Sequence, residues 1–444
     1  MKAAVVLFCL LLVACANYSP HPLTEESPAL ASPDQPSLAG QAAAIDRPYL
    51  KPHPVDLAAP LDGDSIAILA VLANPDLKAL RSRAGVADAQ AFAARLLPDP
   101  VFGAGIDHLL SGPDPVDNLA ASLGLDINAL RTLSSRRQEA EATARQAHMD
   151  LAWAEWQTAC DARIQAVRIH YLQRIESLAF KSRDTLMMRL AHVRAGLERG
   201  DLPAARLQVA QTAAGDAEQK ATQAAQDLNA ARHELNRLLG LPPDYRLDIA
   251  PIPLPNPPPD AGQLYQAALD LRPDLAALRD GYKAAEASVH RAVLDQFPSL
   301  DLSINATRDT GRNRLLGPSV SFTLPLWNRN RGGIATARAT RAALKAEYEA
   351  RLFQTRADIA TAVAGLGLAR RQLDDLDGGL PELQRFAEAN RTAAARGDLS
   401  QDAAETAEQA LRDRQELVAQ TALAINEQDI ALELLTGAPR EQWK

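Results

Sequence analysis

The chain has 444 residues, of which 47% are apolar but only 4% are aromatic, and much of the apolar share is alanine. This composition favours long helices packed closely side by side over a thick aromatic core. The formal net charge of −8 argues against a nucleic-acid-binding protein, which needs a basic surface to neutralise phosphates. No contiguous Lys/Arg block of the kind that binds anionic lipid is present.

The beginning of the chain has the form of a secretion signal. Lys2 supplies a positive charge, and residues 3–14 are an apolar stretch too short to cross a bilayer as a helix. Residues 12–15, Leu-Val-Ala-Cys, resemble the lipobox of bacterial lipoproteins. The resemblance implies cleavage after residue 14, acylation of Cys15 and, because Ala16 is not aspartate, delivery to the outer membrane. The alternative is an ordinary signal peptide with an accidental cysteine.

After lipidation of Cys15, Cys160 would be the one remaining thiol, so the sequence predicts no intrachain disulfide. Cys160 lies within a helical pattern and is expected to be a small buried packing residue rather than a reactive thiol.

Two Pro-rich segments divide the mature chain. The first lacks periodicity and is predicted to be a tether that wraps or hangs rather than folding alone. The second is an internal linker. The predicted organisation is a signal peptide at 1–14, a lipid-anchored leader at 15–60, a first repeat at 61–240, the linker at 241–260, a second repeat at 261–438 and a tail at 439–444.

The segments on either side of the linker repeat each other. Residues 74–77, Asn-Pro-Asp-Leu, correspond to residues 272–275, Arg-Pro-Asp-Leu. Residues 199–202 and 396–399 are both Arg-Gly-Asp-Leu. The nearly constant offset predicts that the chain is two copies of one unit. Further corresponding positions are 97–99 with 297–299, and 239–240 with 436–437.

Each unit is predicted to contain a moderate helix (74–97 or 272–296), two short strands, a very long helix, a Gly-Asp-Leu turn and a return helix. Residues 125–195 contain neither glycine nor proline, so ~65 helical residues would extend ~100 Å. In the second copy Gly378, Gly379 and Pro381 should bend or break the long helix.

An apolar stripe in the second copy has a mean spacing of about 3.67 residues if Thr355 is included, which exceeds the 3.5 of a left-handed coiled coil. It predicts nearly straight helices, such as those in the wall of a wide tube. A long helical hairpin packed in a bundle is the alternative. The stripe contains Leu344, Tyr348, Leu352, Ile359, Val363 and Leu366.

Three segments alternate apolar and small polar residues, and a fourth, 101–108, does so more weakly, with glycines on one face. Together they predict two β-hairpins, with strands at 101–108, 121–127, 300–307 and 320–326 and loops at 111–117 and 309–318. Such strands suit a transmembrane barrel, with Trp327 in an interfacial aromatic girdle. A half-buried soluble sheet gives the same alternation, but the rest of the chain offers no second sheet. The residues predicted to face lipid are Leu123, Leu125, Ile127, Leu300, Leu302, Ile304, Val320, Phe322, Leu324 and Leu326.

Four strands cannot close a barrel, and open edges in hydrocarbon leave backbone groups unpaired at a cost of several kcal/mol each. Several chains must therefore share one barrel, since the smallest common barrels have eight strands. Two chains would give eight strands and a filled lumen, whereas three would give twelve and room for a channel. The length of the helical tube favours the wider barrel.

Residues 317–333, Gly-Pro-Ser-Val-Ser-Phe-Thr-Leu-Pro-Leu-Trp-Asn-Arg-Asn-Arg-Gly-Gly, resemble the last strand of the TolC family of outer-membrane efflux proteins, in its lipidated branch. The resemblance covers residues 74–437. It implies a mainly α fold with a small β part: very long helical hairpins that form a periplasmic tunnel, and a trimeric twelve-stranded outer-membrane barrel. It further implies a passive duct that opens at its tip and docks a periplasmic adaptor and an inner-membrane pump, of the proton-driven resistance-nodulation type.

The resemblance also assigns roles to residues at the two Gly-Asp-Leu turns, which match the adaptor-docking tips of the family. The alternative is that they are only helix caps, with glycine ending one helix and aspartate capping the next. The tip residues are Arg194, Gly200, Asp201, Leu202, Gly397, Asp398 and Leu399. Asp402 and Glu405 follow on one helical face and are candidates for a ring of carboxylates at the periplasmic entrance, or for a solvated surface.

Two other classes of protein fit the sequence less well. A periplasmic lipoprotein scaffold with helical hairpins and no pore is the main alternative, although the polar alternation of the strands argues against it. An enzyme is disfavoured because the eight histidines are scattered without metal-ligand spacing. His108 and His290 are expected to be surface or packing residues. The sequence therefore predicts no catalytic residue, no metal site and no cofactor.

Overall fold

The computed structural model describes residues 18–23, 34–108, 110–112 and 116–443. The predicted signal peptide and Cys15 lie outside the described residues. The leader and first repeat contain α1 (Gln35–Ala43), α2 (Gly63–Ala73), α3 (Pro75–Arg95), β1 (Val101–Asp107), β2 (Asn118–Asp126), α4 (Ile127–Glu198) and α5 (Ala204–Leu238). The second repeat contains α6 (Ala261–Leu271), α7 (Pro273–Leu294), β3 (Leu300–Arg308), β4 (Arg314–Phe322), α8 (Arg331–Gly378), α9 (Leu380–Arg396) and α10 (Gln401–Thr436).

The two repeats have the same order of elements and begin in the same way. Asp62 and Asp260 are the N-caps of α2 and α6, and each side chain accepts a hydrogen bond from the first turn of its helix. Pro75 and Pro273 open α3 and α7, where the missing N–H costs nothing. These shared features agree with the predicted duplication.

Helix α4 has 72 residues and is therefore about 108 Å long. It starts at Asp126, whose side chain accepts from the backbone N–H of Ala129, and no glycine or proline interrupts it before Gly196. The corresponding rod of the second repeat is divided, because α8 ends at Gly378 and α9 begins immediately after Gly379. The predicted long helix and the predicted break are both confirmed.

The apolar stripe of α8 packs inward, with Ile359 and Leu366 fully buried against α6 and α10. Thr355 occupies a stripe position and is only 1% exposed. Its hydroxyl donates to the backbone carbonyl of Arg351 at 2.8 Å, so its polar group is satisfied within the helix.

Helices α4 and α5 approach closely because the buried seam of α5 is made largely of alanine. The seam residues recur at alternating three- and four-residue steps, which keeps them on one side of the helix. They are Ala210, Ala214, Ala217, Ala221, Ala224, Leu228, Ala231 and Leu235.

The leader wraps onto the helices. Tyr49, Leu50 and Val55 are buried in the largest core cluster, together with α2 and the middle of α4. The leader also contains α1, which was not predicted because its Pro- and Ser-rich sequence has a weak helical pattern. Burial of Leu38 and Ala42 against the core stabilises this short helix.

The four strands form one antiparallel sheet in the order β1-β2-β3-β4. The predicted bounds of β2 (121–127) and β4 (320–326) are wrong, and those of β1 and β3 each differ from the structure by one residue. Residue 127 begins α4, and β4 runs from Arg314 to Phe322, so that its loop contains five residues rather than ten. Asn313 shortens the loop, because its backbone N–H and its side chain both bind the carboxylate of Asp309. Pro318 is accommodated because β4 is an edge strand.

Candidate membrane sheet and helical tips

One face of the sheet is apolar from edge to edge. The register places Phe102 opposite Leu123, Leu123 opposite Ile304, and Ile304 opposite Pro318. Phe102 is 70% exposed and Ile304 is 57% exposed, so no other part of the described chain covers this face. The apolar residues that share it are Phe102, Ile106, Leu119, Leu123, Leu125, Leu300, Leu302, Ile304, Leu316, Val320 and Phe322.

The opposite face is mostly small and polar, with Val101 and Leu315 as its exposed apolar exceptions. The register places Gly103 opposite Ser122, Ser122 opposite Asn305, and Ser303 opposite Ser319. Gly103 leaves space for its neighbour, since a Cβ there would lie only 2.7 Å from the Ser122 hydroxyl. The sheet therefore has the two-faced character of a strand layer between an apolar and an aqueous medium.

The structure brings together seven of the ten residues predicted to face lipid: Leu123, Leu125, Leu300, Leu302, Ile304, Val320 and Phe322. The other three are not in strands. Ile127 is the first residue of α4, and Leu324 and Leu326 follow the end of β4. Pro325 between them has no backbone N–H to donate to a neighbouring strand. Leu324, Leu326 and Trp327 are nevertheless exposed, at 60%, 60% and 85%, and extend the apolar surface towards the helices.

Both edges of the sheet are open. Strand β1 pairs only with β2, and β4 pairs only with β3, within the described residues. Each edge therefore presents backbone N–H and C=O groups to whatever surrounds it. Every described helix, in addition, is too short or too rich in charge to serve as a bilayer-spanning segment.

The two Gly-Asp-Leu turns have the same conformation. Gly200 and Gly397 have φ values of +78° and +81°, the left-handed conformation that glycine adopts at helix ends. The backbone N–H of the following aspartate reaches back to a carbonyl five residues earlier, from Asp201 to Gly196 at 2.8 Å and from Asp398 to Ala393 at 2.9 Å. Glycine therefore ends each first helix, as predicted.

The predicted aspartate caps are wrong. Helix α5 begins after Pro203 with no side-chain cap, and Asp201 instead binds Arg199 at 2.9 Å. Helix α10 is capped by Ser400, whose hydroxyl accepts from the backbone N–H of Ala403. Gly200, Asp201, Gly397 and Asp398 are exposed, as is Arg194, whereas Leu202 and Leu399 are half-buried. Leu202 packs on Gly196, where a Cβ would approach it to 2.7 Å.

The candidate gate residues have different partners. Asp402 forms an ion pair with Arg189 near the end of α4, and its other oxygen lies 3.8 Å from Arg206 of α5. Glu405 accepts a hydrogen bond from Gln401 at 3.3 Å within α10. Asp402 therefore joins the tip of the second hairpin to the tip of the first, whereas Glu405 does not. No local sequence pattern indicates Arg189 or Arg206 as partners of Asp402, because the pairing depends on the tertiary arrangement.

A second cluster missed by sequence reasoning holds the leader. Glu155 of α4 is buried and accepts hydrogen bonds from Arg47 and Tyr49 of the leader and from Arg81 of α3. Burial alone would raise the pKa of Glu155, but these donors outweigh it and hold the pKa below its ordinary value. Burial, reinforced by the Glu155 carboxylate, raises the pKa of Tyr49, so its hydroxyl stays a donor.

The remaining chemistry-bearing residues are structural. Cys160 is fully buried, and burial raises the pKa of its thiol well above the ordinary value, as expected for a packing residue. His108 contacts Asp117 at 2.7 Å on the surface, and His290 contacts Ser135 at 3.1 Å. Among the described residues no three His, Cys, Asp or Glu side chains form a metal-binding group.

Comparison with known proteins defines the class to which this sheet and these hairpins belong. The fold matches the outer-membrane channel OprN at a TM-score of 0.69 and 18% identity, over 97% of this chain and 99% of that one. It matches VceC of Vibrio cholerae at a TM-score of 0.67 and 17% identity, over 85% of this chain and 96% of that one. It matches the open-state MtrE channel of Neisseria gonorrhoeae at a TM-score of 0.68 and 19% identity, over 84% of this chain and 88% of that one. These TM-scores show that the chain has the same fold as these three proteins.

The amino-acid sequence gives a second, independent match, to a protein family. Residues 264–438, which span most of the second repeat, match the model of the outer membrane efflux protein family. The matched family and the matched structures are those of outer membrane efflux proteins and outer-membrane channels. No curated protein sequence matches the chain.

Proposed function

We propose that three copies of this chain assemble into a passive duct that carries solutes from the periplasm to the exterior. The observation that carries the proposal is the open four-stranded sheet, whose apolar face is exposed and whose two edges are unpaired. In a bilayer such edges are tolerated only if other strands pair with them. Three copies supply twelve strands, enough for a barrel with an open lumen.

The length of α4, about 108 Å, suits a tunnel that continues from the sheet through the periplasm. The helices α3, α4, α7 and α8 that flank the strands pack as one row, because α4 contacts both α3 and α7 and α7 contacts α8. Three such rows would complete a twelve-helix wall. The predicted lipidation of Cys15, outside the described residues, would fix the leader to the same membrane.

The tips are proposed to dock a periplasmic adaptor, which in turn binds an inner-membrane pump of the proton-driven resistance-nodulation type. Both turns present an exposed glycine and aspartate followed by a half-buried leucine, so an adaptor would meet two equivalent surfaces on each chain. Beside the first turn is a groove of about 480 Å³ whose lining combines apolar side chains with charged ones. The apolar side chains include Leu186, Val193, Pro203 and Val209, and the charged ones are Arg189, Arg206 and Asp402. The apolar part suits an inserted apolar side chain.

Opening is proposed to occur at the tips, where the Asp402–Arg189 ion pair connects α10 to α4. Both side chains are partly exposed, so the ion pair is a modest restraint that adaptor binding can overcome. Glu405 is proposed to lie along the same entrance and to favour cations over anions.

The test is single-channel recording of the purified full chain in planar bilayers, beside the variant with Asp402→Ala and Glu405→Ala. Discrete, cation-preferring openings that become larger or more frequent in the variant are expected. If the openings are unchanged by both substitutions, Asp402 and Glu405 do not control opening, although the proposal of a duct still stands.

A scaffold without a pore predicts a different result. In that case the protein associates with bilayers through its lipid anchor and gives no discrete openings, and no trimer resistant to detergent but dissociated by heat appears on a gel. That combination would refute the proposed duct.

A further inference from the structure

Two arginines stand opposite each other on the apolar face of the sheet. Arg308 ends β3, Arg314 begins β4, and the two are register partners in the antiparallel ladder. Arg308 is in phase with Ile304 along β3, and Arg314 is in phase with Leu316 along β4. Since side chains alternate between faces, both arginines lie on the exposed apolar face, at the rim farthest from the helices.

This arrangement is unfavourable unless an anion compensates it, because like charges directly opposite on an antiparallel pair repel each other. Within the described residues neither guanidinium forms an ion pair or a side-chain hydrogen bond. Asp309, the acidic residue next in sequence, is already bound by Asn313 at 2.7 and 2.8 Å. Arg312, in the same loop, is exposed and adds a third positive charge.

The local charge contrasts with that of the chain as a whole. Residues 310–346 contain seven Lys and Arg and no Asp or Glu, in a protein whose net charge is −8. The sequence shows no contiguous basic block because these residues are spread over a loop, a strand and a helix. Folding of the β3–β4 hairpin brings Arg308, Arg312 and Arg314 to one rim.

We propose that Arg308 and Arg314 bind the phosphate of a lipid headgroup in the leaflet that surrounds the loop end of the sheet. Two planar guanidinium groups can each donate two parallel hydrogen bonds to phosphate oxygens. The apolar surface continues directly below them, through Leu316 (78% exposed) and Ile304 (57% exposed). A ligand with a phosphate above acyl chains therefore matches both parts of the surface, whereas free phosphate matches only one.

This inference rests on the proposed membrane position of the sheet. The test titrates the full chain in detergent with phosphatidylglycerol and with phosphatidylcholine of the same acyl chains, and counts bound lipid by native mass spectrometry. The variant Arg308→Gln with Arg314→Gln is compared with Arg356→Gln with Arg371→Gln, a control that removes the same charge from exposed positions on α8. The charge-preserving variant Arg308→Lys with Arg314→Lys is measured alongside.

Phosphatidylglycerol affinity is expected to fall roughly thirty-fold in the double glutamine variant, since each basic residue near an anionic surface contributes about 1 kcal/mol, or roughly five-fold. The α8 control should stay within a few-fold of the wild type. The lysine variant keeps the charge but loses the paired parallel hydrogen bonds, so its affinity should lie between those of the wild type and the double glutamine variant. Binding of phosphatidylcholine, whose phosphate is balanced by its own ammonium group, should change less than binding of phosphatidylglycerol. Equal lipid binding by the two glutamine variants would overturn the inference. So would inorganic phosphate binding as tightly as the lipid, or loss of the oligomer in the double glutamine variant, which would assign the arginines to a neighbouring copy.

Single-channel recording on the same preparations separates this inference from the proposed function. Normal openings together with unselective lipid binding would overturn only the phosphate site. Absence of openings in the wild type would overturn the duct itself.

Discussion

Arg81 and Arg279, which are 198 positions apart, make the same contact in the two repeats. Each guanidinium donates to a backbone carbonyl ten residues earlier, from Arg81 to Val71 and from Arg279 to Leu269. Both carbonyls lie in the last turn of the preceding helix, where no intrahelical partner is available. The arginine therefore fixes the corner between α2 and α3, and again the corner between α6 and α7. The duplication extends to single hydrogen bonds.

The environments of the two arginines differ, which gives a first prediction. Arg81 also binds the buried Glu155 carboxylate, whereas Arg279 donates a hydrogen bond to the neutral hydroxyl of the half-buried Tyr348 at 3.3 Å. Arg81→Met should therefore lower the thermal midpoint more than Arg279→Met, because it weakens compensation of a buried carboxylate, at a cost of about 1–3 kcal/mol. Thermal unfolding followed by circular dichroism on matched preparations compares them. Equal shifts would show that Glu155 is adequately held by Arg47 and Tyr49 alone.

The second prediction concerns pH. The folded state holds the pKa of Glu155 below its ordinary value, so its stabilisation of the leader is present above the unfolded-state pKa of about 4.3. It is lost as pH falls through the lower folded-state pKa. Hydrogen exchange of residues 45–55 should show protection at neutral pH that decreases below about pH 4. Glu155→Gln should reduce protection at neutral pH and flatten the dependence, while a wild-type profile in this variant would contradict the role of Glu155.

The third prediction concerns the tips. Arg189→Asp should increase the open probability in planar bilayers, because it replaces the attraction to Asp402 by repulsion. Combining it with Asp402→Arg restores opposite charges and should return the openings towards those of the wild type. Arg194→Asp is a matched control on the same helix, since Arg194 forms no ion pair within the described residues. A double variant as open as the single one would argue against a direct restraint by this ion pair.

The fourth prediction compares the two faces of the sheet at adjacent positions. Ile304→Arg places a charge on the apolar face, at a cost of about 2–4 kcal/mol per chain near the bilayer midplane. Asn305→Arg, one residue further, places the same charge on the polar face and should be tolerated. The yield of heat-dissociable oligomer in extracted membranes measures the difference. Similar losses in both variants would indicate that the apolar face does not contact lipid.

The features that the sequence predicted are those encoded by local pattern. The absence of glycine and proline in residues 125–195 predicted α4, and Gly378 with Gly379 predicted the break after α8. The left-handed turns at Gly200 and Gly397 followed from the repeated Arg-Gly-Asp-Leu. Each of these depends on the backbone preferences of neighbouring residues, and so could be inferred without knowing the fold.

The features that were missed depend on long-range contacts or on turn chemistry. The ion pair of Asp402 with Arg189 and the binding of the leader to Glu155 join residues far apart in the chain, and no local sequence pattern indicates these contacts. The end of the β3 loop was misplaced because Gly317 and Pro318 indicate a turn, whereas Asp309 and Asn313 close the loop earlier. Helix α1 forms because the core covers it, not because its own sequence favours it.

The break between α8 and α9 gives the two halves of each chain different mechanical properties. The first repeat provides a continuous strut, and the second provides a limb whose rod is divided at Gly379, here called the jointed limb. Arg189 and Arg206 belong to the strut, whereas Asp402 belongs to the jointed limb. We therefore expect the tip to widen unequally, with the jointed limb of each subunit swinging outward against a nearly stationary neighbour. In a threefold assembly only half of the hairpins would move, and the stationary half would keep a fixed frame for the adaptor.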